Sequence, residues 1–348
     1  MASRPYPAWE NAAFGAARGA AIDRREWRAA TLLIACVLGY GLLLFPVSGA
    51  SLADLGVVVR IFAAASFETS ALVLVVYACL CIARPAWREG CETRLFWLFV
   101  AALVTALTFP SFGLFKQLIL PTRGFLWDAT LARIGRVLTG GTSPWVFAHA
   151  VFGSQTGLHF LNFLYTFWLV LVFAFPMVVA TFVTNTVLRL RLLVSWFAAW
   201  VLIGTVGAWC FASAGPCYYN ALVGPDPSFA ELQRHLAALA RSAAAEGHPA
   251  ETLEFQPFLL KAFYGRVFAP GGGISAMPSM HVALATLCAI AGFAHSRALG
   301  GLLAVYAVLI WIGSIYFGWH YLVDGPVAAV MMVAIWKASG VIRLQVDQ

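Results

Sequence analysis

The chain has 348 residues, of which 61% are hydrophobic and only 11% charged, with a formal net charge of +7. Its apolar residues fall in runs of about twenty, the length that a helix needs to cross the hydrocarbon core of a bilayer. This composition excludes a soluble globular domain and indicates an all-α fold, a polytopic bundle of about eight transmembrane helices. The basic excess then reflects topology and contact with membrane lipid, so no nucleic-acid partner is expected.

Eight apolar runs are interpreted as spans. In chain order they cover residues 29–47, 57–82, 95–115, 158–183, 192–214, 277–294, 298–317 and 319–336. The first run follows a long polar segment, so it is expected to remain in the protein as a signal anchor. The seven cysteines lie mostly inside spans, which does not suggest a disulfide framework.

The basic residues predict the orientation. Arginines precede the first span, lie in the short connections between spans or follow the last span, at positions 4, 18, 24, 25, 28, 84, 88, 94, 189, 191, 297 and 343. The positive-inside rule places these segments and both termini in the cytoplasm. The opposite face then carries two long connections, residues 116–157 and 215–276. The arginine-rich, lysine-poor composition favours a bacterial inner membrane.

Two stretches near the C-terminus hold most of the polar chemistry. Residues 277–281 have the sequence Met-Pro-Ser-Met-His and residues 318–324 the sequence Gly-Trp-His-Tyr-Leu-Val-Asp, each at the edge of an apolar run. Ionisable side chains at membrane depth are costly, which favours a functional role for them. Threading the spans in order brings both stretches, and Lys116 at the end of the third span, to the face opposite the cytoplasm. The sequence therefore predicts one site on the periplasmic or exoplasmic face.

His320 and Asp324 are four residues apart, a spacing that places the two side chains together on a helix. A carboxylate beside an imidazole fixes one ring nitrogen as the proton donor and leaves the other free to attack. His281 is the candidate for giving a proton to a leaving alkoxide, because histidine titrates near neutral pH. These three residues are the predicted catalytic group.

Fixed positive charge and hydrogen-bond donors complete the predicted chemistry. Lys116 and Arg123 supply charge that stabilises a phosphoryl group in transfer. Ser279 and the first amides of the sixth span offer donors at a helix N-terminus. The ensemble indicates phosphoryl transfer without a metal or other cofactor, so turnover is expected to survive EDTA.

Several alternatives remain open at this stage. A metal-dependent membrane hydroxylase would use His281, His320 and Asp324 as ligands, although such enzymes need more histidines than this face offers. A transporter or scaffold explains the spans. It does not explain why Lys116 and the stretches 277–281 and 318–324 lie on one face. Lys116 alone also suits a snorkelling lysine, and Glu68 suits pairing with Arg60 as well as a catalytic part. The remaining histidines, at 149, 159, 235, 248 and 295, are interpreted as anchors or packing residues. Leucines at 232, 236 and 239 predict an amphipathic helix over residues 228–246, with Ser228 as its N-cap.

The motifs resemble a known family. Lys116, six residues and Arg123, then Pro-Ser-Met-His ending at His281, then His320 with Asp324 four residues later are similar to the three signature motifs of the type 2 phosphatidic acid phosphatase superfamily. The resemblance covers residues 109–334. The chain departs from the pattern at three places. These are Gly124 for proline, Met280 for glycine, and Gly313-Ser314 for serine-arginine.

Two features resemble one branch of that superfamily, which contains fungal inositol phosphorylceramide synthase and its bacterial relatives. They are the absence of the third-motif arginine, where Ser314 stands, and the segment 214–219 (Ala-Gly-Pro-Cys-Tyr-Tyr). The resemblance implies a phosphohistidine on His320, oriented by Asp324, with His281 as acid and then base. It implies phosphate or substrate contacts by six further residues, Lys116, Arg123, Ser279, Asp128, Tyr218 and Tyr219.

The resemblance also implies the organisation and activity of the chain. Residues 1–28 would be a cytoplasmic tail, 29–94 two additional helices with a cytoplasmic loop, 95–338 a six-helix catalytic core and 339–348 a second cytoplasmic tail. The expected activity moves a phosphorylated, inositol-phosphate-like head group from a lipid-linked phosphate donor to an alcohol acceptor, as in sphingolipid metabolism. The alternative is a lipid phosphate or diphosphate phosphatase of the same superfamily. Neither the lipids nor the oligomeric state follows from the sequence.

Overall fold

The structure of the protein is a computed structural model that describes residues 22–266 and 268–342. Helices dominate the described residues, and no strand occurs among them. Most of the predicted N-terminal tail, with Arg4 and Arg18, lies outside these ranges, as do Arg343 and the rest of residues 343–348 in the predicted C-terminal tail. The fold class predicted from the composition is therefore confirmed for the described part of the chain.

The helices follow one another with short connections. They are α1 (Arg24–Ser48), α2 (Leu52–Ala83), α3 (Cys91–Arg123), α4 (Asp128–Leu138), α5 (Pro144–Phe152), α6 (Gln155–Phe182), α7 (Thr186–Ala199), α8 (Ala208–Cys210), α9 (Pro227–Ala245), α10 (Glu251–Gly265), α11 (Met280–His295), α12 (Arg297–Tyr316) and α13 (Asp324–Ala338). A π-helical stretch, Trp200–Gly207, joins α7 to α8 and makes Thr186–Cys210 one continuous span.

Six of these helices are long and apolar enough to cross a membrane, namely α1, α2, α3, α6, the unit from α7 to α8, and α12. The other two predicted spans are shorter helices, since α11 has 16 residues and α13 has 15. Fifteen residues extend about 22 Å, less than the roughly 30 Å hydrocarbon core. The protein is an integral membrane protein in which these two short helices carry the candidate histidine stretches at their N-terminal ends.

Local capping signals set where several helices begin. The Asp23 carboxylate accepts the Glu26 amide at 2.7 Å at the start of α1. Ser51 and Asp54 form a reciprocal capping box at the start of α2, which satisfies two amides that have no partner within the helix. These caps separate α1 from α2 at a tight turn, where Gly49 adopts the left-handed conformation.

A buried ion pair ties three spans together near one end of the bundle. Arg189 of α7 donates to the Glu26 carboxylate of α1 at 2.7 Å, and both side chains are almost fully buried. The indole of Trp97 on α3 also donates to Glu26, at 3.2 Å. Removing one partner of such a pair leaves an uncompensated buried charge, so the pair fixes the mutual register of α1, α3 and α7.

The suggested pairing of Glu68 with Arg60 is wrong. Both residues are exposed on α2, and they form no ion pair with each other. Eight residues along a helix correspond to about 12 Å, too far for side-chain contact along one axis. Glu68 also does not line the cavity described below.

The two long connections fold into the helices α4, α5, α9 and α10. The predicted amphipathic helix is α9, and its leucines at 232, 236 and 239 are buried as their spacing requires. Its N-cap is Asp226 rather than Ser228, because the Asp226 carboxylate accepts the amides of residues 228 and 229. The Gln233 side chain of α9 donates to the Cys217 carbonyl at 2.9 Å. This helix therefore packs over the segments that hold the third motif.

Candidate active site

A cavity of about 350 Å³ lies among α3, α6, the π-helical stretch and α10. Lys116, His281 and His320 line it, so three residues that are up to 204 positions apart in the sequence meet at one place. Aromatic side chains of the spanning helices, including Phe109 and Phe112, form much of the remaining wall. The cavity thus combines polar side chains with an apolar wall from helices long enough to span a membrane.

His320 lies in the irregular segment between α12 and α13, and Asp324 is the first residue of α13. The prediction that both residues share a helix is therefore wrong, although their side chains do meet. The Nδ1 atom of His320 lies 3.4 Å from Oδ2 of Asp324, which is fully buried. This separation exceeds a full hydrogen bond, and catalytic hydrogen bonds often shorten only when substrate is bound. The arrangement leaves Nε2 as the nitrogen available on the cavity side.

Backbone hydrogen bonds hold the His320 segment in place. The amides of Trp319 and His320 both donate to the Ser314 carbonyl, at 2.9 and 3.2 Å. The Tyr321 amide donates to Oδ2 of Asp324 at 2.9 Å, so one carboxylate oxygen serves both the ring and the turn. Ser314 stands where the superfamily pattern has arginine, and its contribution here is a backbone anchor for the histidine.

His281 is the second residue of α11 and is partly buried. Its ring centroid lies 6.0 Å from that of His320, close enough for both imidazoles to contact one small group bound between them. Two aromatic rings of α6, those of Tyr165 and Trp168, lie against the His281 ring. The ring is therefore held by packing against α6, and the His320 ring lies beside it at an interplanar angle of 66°.

The two predicted cationic residues of α3 have different surroundings. Lys116 lines the cavity. Arg123 lies seven residues, or about 10 Å, further along the helix. Its side chain is exposed, donates from Nε to the Trp209 carbonyl at 3.3 Å and stacks over the Trp209 ring. Within the described residues, Arg123 is not part of the cavity wall.

Ser279 is fully buried beside the two histidines but is occupied by the fold. Its hydroxyl accepts the Val282 amide at 3.4 Å and caps α11. Its own amide donates to the Asp324 carbonyl at 3.4 Å, which ties the second motif to the third. Ser279 thus fixes the start of α11, whose remaining first-turn amides lie next to the cavity.

Asp128, predicted as a substrate ligand, lies behind the cavity and is fully buried. Its carboxylate accepts the amides of Ala214 and Gly215 at 3.0 Å and the hydroxyl of Tyr321 at 2.7 Å. Burial raises the pKa of Asp128, and the hydrogen bonds from Tyr321, Gly215 and Ala214 act in the opposite direction. The side chain holds the turn that carries His320 and Asp324 against residues 214 and 215.

The same segment also holds the second motif. Ser213 accepts the Ala276 amide with its carbonyl at 2.9 Å and the Met277 amide with its hydroxyl at 3.1 Å. The Cys217 amide donates to the Gly318 carbonyl at 2.8 Å. Gly215 has a φ of 98°, and a Cβ there would lie 2.5 Å from the Trp319 carbonyl oxygen. Residues 213–217 therefore form a bracket that joins both histidine stretches, with Asp128 as its anchor.

The two predicted tyrosines are separated by the structure. Tyr218 lines the cavity, and its hydroxyl donates to the Gln256 carbonyl at 3.1 Å. Tyr219 packs its ring against Phe229 of α9, with 4.6 Å between centroids. Tyr219 is therefore part of the packing under α9 rather than of the cavity wall.

Sequence reasoning missed the two α6 aromatic residues and Glu251, which also lies at the cavity. Tyr165 and Trp168 are three residues apart, which places them on neighbouring positions of a helix face. That spacing is common among packing residues of spans, so it carried no specific signal. Only the packing of α6 against α11 distinguishes these two side chains from other aromatic residues.

Together these features define a helical membrane protein with two neighbouring imidazoles and a lysine around one cavity, and with a buried carboxylate beside one of the imidazoles. A family model described as the PAP2 superfamily matches residues 129–338, more than half of the chain. The chain belongs to this superfamily, whose members are generally phosphatases or phosphotransferases acting on phosphate esters. Neither the curated proteins nor the solved structures gave a match to the chain.

Proposed function

We propose that this protein transfers a phosphorylated, inositol-phosphate-like head group from a lipid-linked donor to an alcohol acceptor through a phosphohistidine on His320. The observation that carries the proposal is the contact of Nδ1 of His320 with the buried Asp324 carboxylate. This contact leaves Nε2 free beside a cavity that Lys116 and His281 also line. The tautomer with the proton on Nδ1 is the one in which Nε2 is nucleophilic.

In the first half-reaction, Nε2 of His320 attacks phosphorus and the bond from phosphorus to the lipid alcohol oxygen breaks. The departing alkoxide takes a proton from the His281 imidazolium, which becomes neutral. Lys116 stabilises the charge that accumulates on the phosphoryl oxygens. Asp324 stabilises the positive charge that His320 acquires as the bond from nitrogen to phosphorus forms.

In the second half-reaction, neutral His281 takes the proton of an acceptor hydroxyl as its oxygen attacks phosphorus. The bond from phosphorus to Nε2 breaks, His320 returns to its neutral form, and His281 is again protonated. An alcohol acceptor yields head-group transfer, whereas water yields the phosphatase reaction of the same superfamily. The resemblance of the motifs to the head-group transferase branch favours the alcohol.

The apolar wall supports a lipid donor. Phe62, Phe109, Phe112 and Phe173 line the cavity, and all four belong to membrane-spanning helices. A phosphate held by Lys116 would have its apolar chain next to these rings, where burial of each methylene contributes about 0.8 kcal/mol. The arginine distribution supports a periplasmic or exoplasmic site with both termini in the cytoplasm.

The test begins with a mass-spectrometric comparison of lipids from cells with and without the protein, which identifies the donor and the product. Purified protein is then incubated with lipids labelled with ³²P and quenched in base, in which phosphohistidine persists. Wild type should retain label, and His320→Gln should lose both the label and turnover. Asp324→Asn should fold but turn over more slowly by roughly three to four powers of ten, as when the orienting acid of a catalytic triad is replaced.

The exposed His248 supplies a matched control, since His248→Gln removes a histidine outside the cavity and should leave labelling unchanged. Retention of label in His320→Gln would show that another group is the nucleophile. Release of head-group phosphate to water, with no new lipid in the comparison, would assign the phosphatase reaction instead.

A further inference from the structure

The imidazole of His281 has two aromatic neighbours from a single helix, α6. The ring centroid of Tyr165 lies 4.4 Å away with an interplanar angle of 20°, and that of Trp168 lies 4.0 Å away with an angle of 31°. Both rings are therefore stacked or nearly stacked on the imidazole. Neither residue belongs to the three signature motifs.

These distances decide on which faces the rings lie. Stacked rings are separated by about 3.5 Å, the contact distance of carbon atoms. With the centroid distances above, the centre of each aromatic ring is then displaced sideways from the His281 centre by less than about 3 Å. If both rings lay on the same face of His281 with such small displacements, their atoms would overlap. Tyr165 and Trp168 therefore cover opposite faces of His281 and form a sandwich.

A hydrogen bond adds a second constraint. The indole nitrogen of Trp168 donates to the His281 carbonyl at 3.0 Å, so α6 fixes the backbone as well as the ring. The Tyr165 hydroxyl is buried and has no hydrogen-bond partner among the described residues. The aromatic ring of Tyr165, rather than its hydroxyl, is therefore the feature that acts on His281.

We propose that Tyr165 and Trp168 are positioning residues that hold the His281 ring in the plane required for proton transfer and stabilise its protonated form. The inference rests on the proposed function, in which His281 carries a positive charge before it protonates the leaving alkoxide. The electron-rich face of an aromatic ring attracts a cation, and the attraction is stronger where water is excluded. The two stacked rings leave the edge of the imidazole, which carries both nitrogens, uncovered, and His281 lines the cavity.

The test compares two substrates with different demands for proton transfer. The leaving group of dodecyl phosphate is an alkoxide, which needs the proton from His281. The leaving group of nitrophenyl phosphate is a stabilised phenolate anion, which does not. Tyr165→Leu and Trp168→Leu should each lower kcat on dodecyl phosphate by roughly tenfold and lower kcat on nitrophenyl phosphate by less than about threefold. Tyr165→Phe keeps the ring and should match wild type within about twofold.

A spectroscopic readout follows the ring itself. In protein with ¹³C-labelled histidine, the His281 signal, assigned by its loss in His281→Gln, should appear upfield because two aromatic faces shield it. Both leucine variants should move this signal downfield, and Tyr165→Phe should not. Phe167 of α6 is exposed, so Phe167→Leu is a control that removes an aromatic ring from the same helix without touching His281.

Equal losses on both substrates in the leucine variants, or an unshifted His281 signal, would overturn the inference. The proposed function fails separately, when His281→Ala itself shows no preference for the better leaving group. A stability defect alone is recognised because it would lower the amount of active protein, and hence both rates, by the same factor.

Discussion

Replacement of Asp128 tests whether this residue is a structural anchor or a substrate ligand. The carboxylate accepts three donors, the amides of Ala214 and Gly215 and the hydroxyl of Tyr321, in a fully buried position. Asp128→Asn keeps the shape of the side chain but replaces one oxygen with a donor that faces the Ala214 amide. We therefore expect this variant to fold with a weakened bracket.

The magnitude follows from the bonds that change. Hydrogen bonds to a charged group contribute about 1.5 to 3 kcal/mol each, and neutral ones about 0.5 to 1.5 kcal/mol. Conversion of three bonds from charged to neutral should lower the free energy of unfolding by about 3 kcal/mol. The unfolding midpoint should then fall by roughly 6 to 12 °C. Tyr321→Phe removes a single bond and should cost about 1 to 2 kcal/mol. Asp128→Ala leaves three buried donors unpaired and should cost more than either.

The assay measures the thermal unfolding midpoint in detergent together with kcat and KM. A bracket role predicts a lower midpoint and a lower kcat, since the His320 turn loses its support, with the KM for the lipid donor nearly unchanged. Glu254 is exposed on α10, so Glu254→Gln is the matched control for removal of one carboxylate charge. An unchanged midpoint with a raised KM in Asp128→Asn would refute this reasoning and make Asp128 the substrate ligand that the sequence predicts.

Three further outcomes are expected. Lys116→Ala should lower kcat by roughly 10² to 10³, the effect of removing one preorganised charge, whereas Arg123→Ala should stay within about twofold; equal losses would place Arg123 at the phosphate. In a background without native cysteines, Thr142→Cys should react with a membrane-impermeant thiol reagent in intact cells and Glu89→Cys only after permeabilisation; the opposite pattern would invert the topology. Burial lowers the pKa of His149 to about 4 from 6.5. Its neutral form then stabilises the fold above about pH 6.5, and this contribution is lost as the pH falls towards 4, so wild type should lose about 2 kcal/mol more than His149→Gln between pH 7 and 5; parallel losses would refute the assignment.

The spans could be predicted because their signals are local. A run of about twenty apolar residues is recognisable without knowledge of its neighbours, and caps such as Ser51 with Asp54 add a local start signal. The last span was placed five residues too early, at residue 319 instead of Asp324. Gly318 takes a left-handed φ of 71°, and its Cβ position lies 3.2 Å from Cys217, so the chain turns there through contact with a distant segment. Hydropathy alone does not contain that contact.

The residues of the candidate site also fall into those that local sequence identifies and those that distant contacts place. His281, His320 and Lys116 could be named because their spacing matches contiguous motifs, and the topology then brought them to one face. The role of Asp128 could not be derived, because its partners at residues 214, 215 and 321 are between 86 and 193 positions away. The exclusion of Arg123 from the cavity depends on where α3 ends relative to Trp209, which no motif spacing states. Long-range packing decided each of these outcomes.

The boundaries of the family match bear on what determines the substrate. The matched residues, 129–338, contain His281, His320 and Asp324. They contain neither Lys116 nor Phe62. Lys116 and Phe62 nevertheless line the cavity, from α3 and α2. The proposed proton-transfer and nucleophilic groups, His281 and His320, thus lie in the part of the chain that matches the superfamily model, whereas a cation and part of the apolar wall come from helices before it. Family membership accordingly establishes the class of chemistry, that of a phosphatase or phosphotransferase. For the lipid donor proposed above, selection has to be sought in the helices before the matched part, because they contribute Lys116 and Phe62 to the cavity.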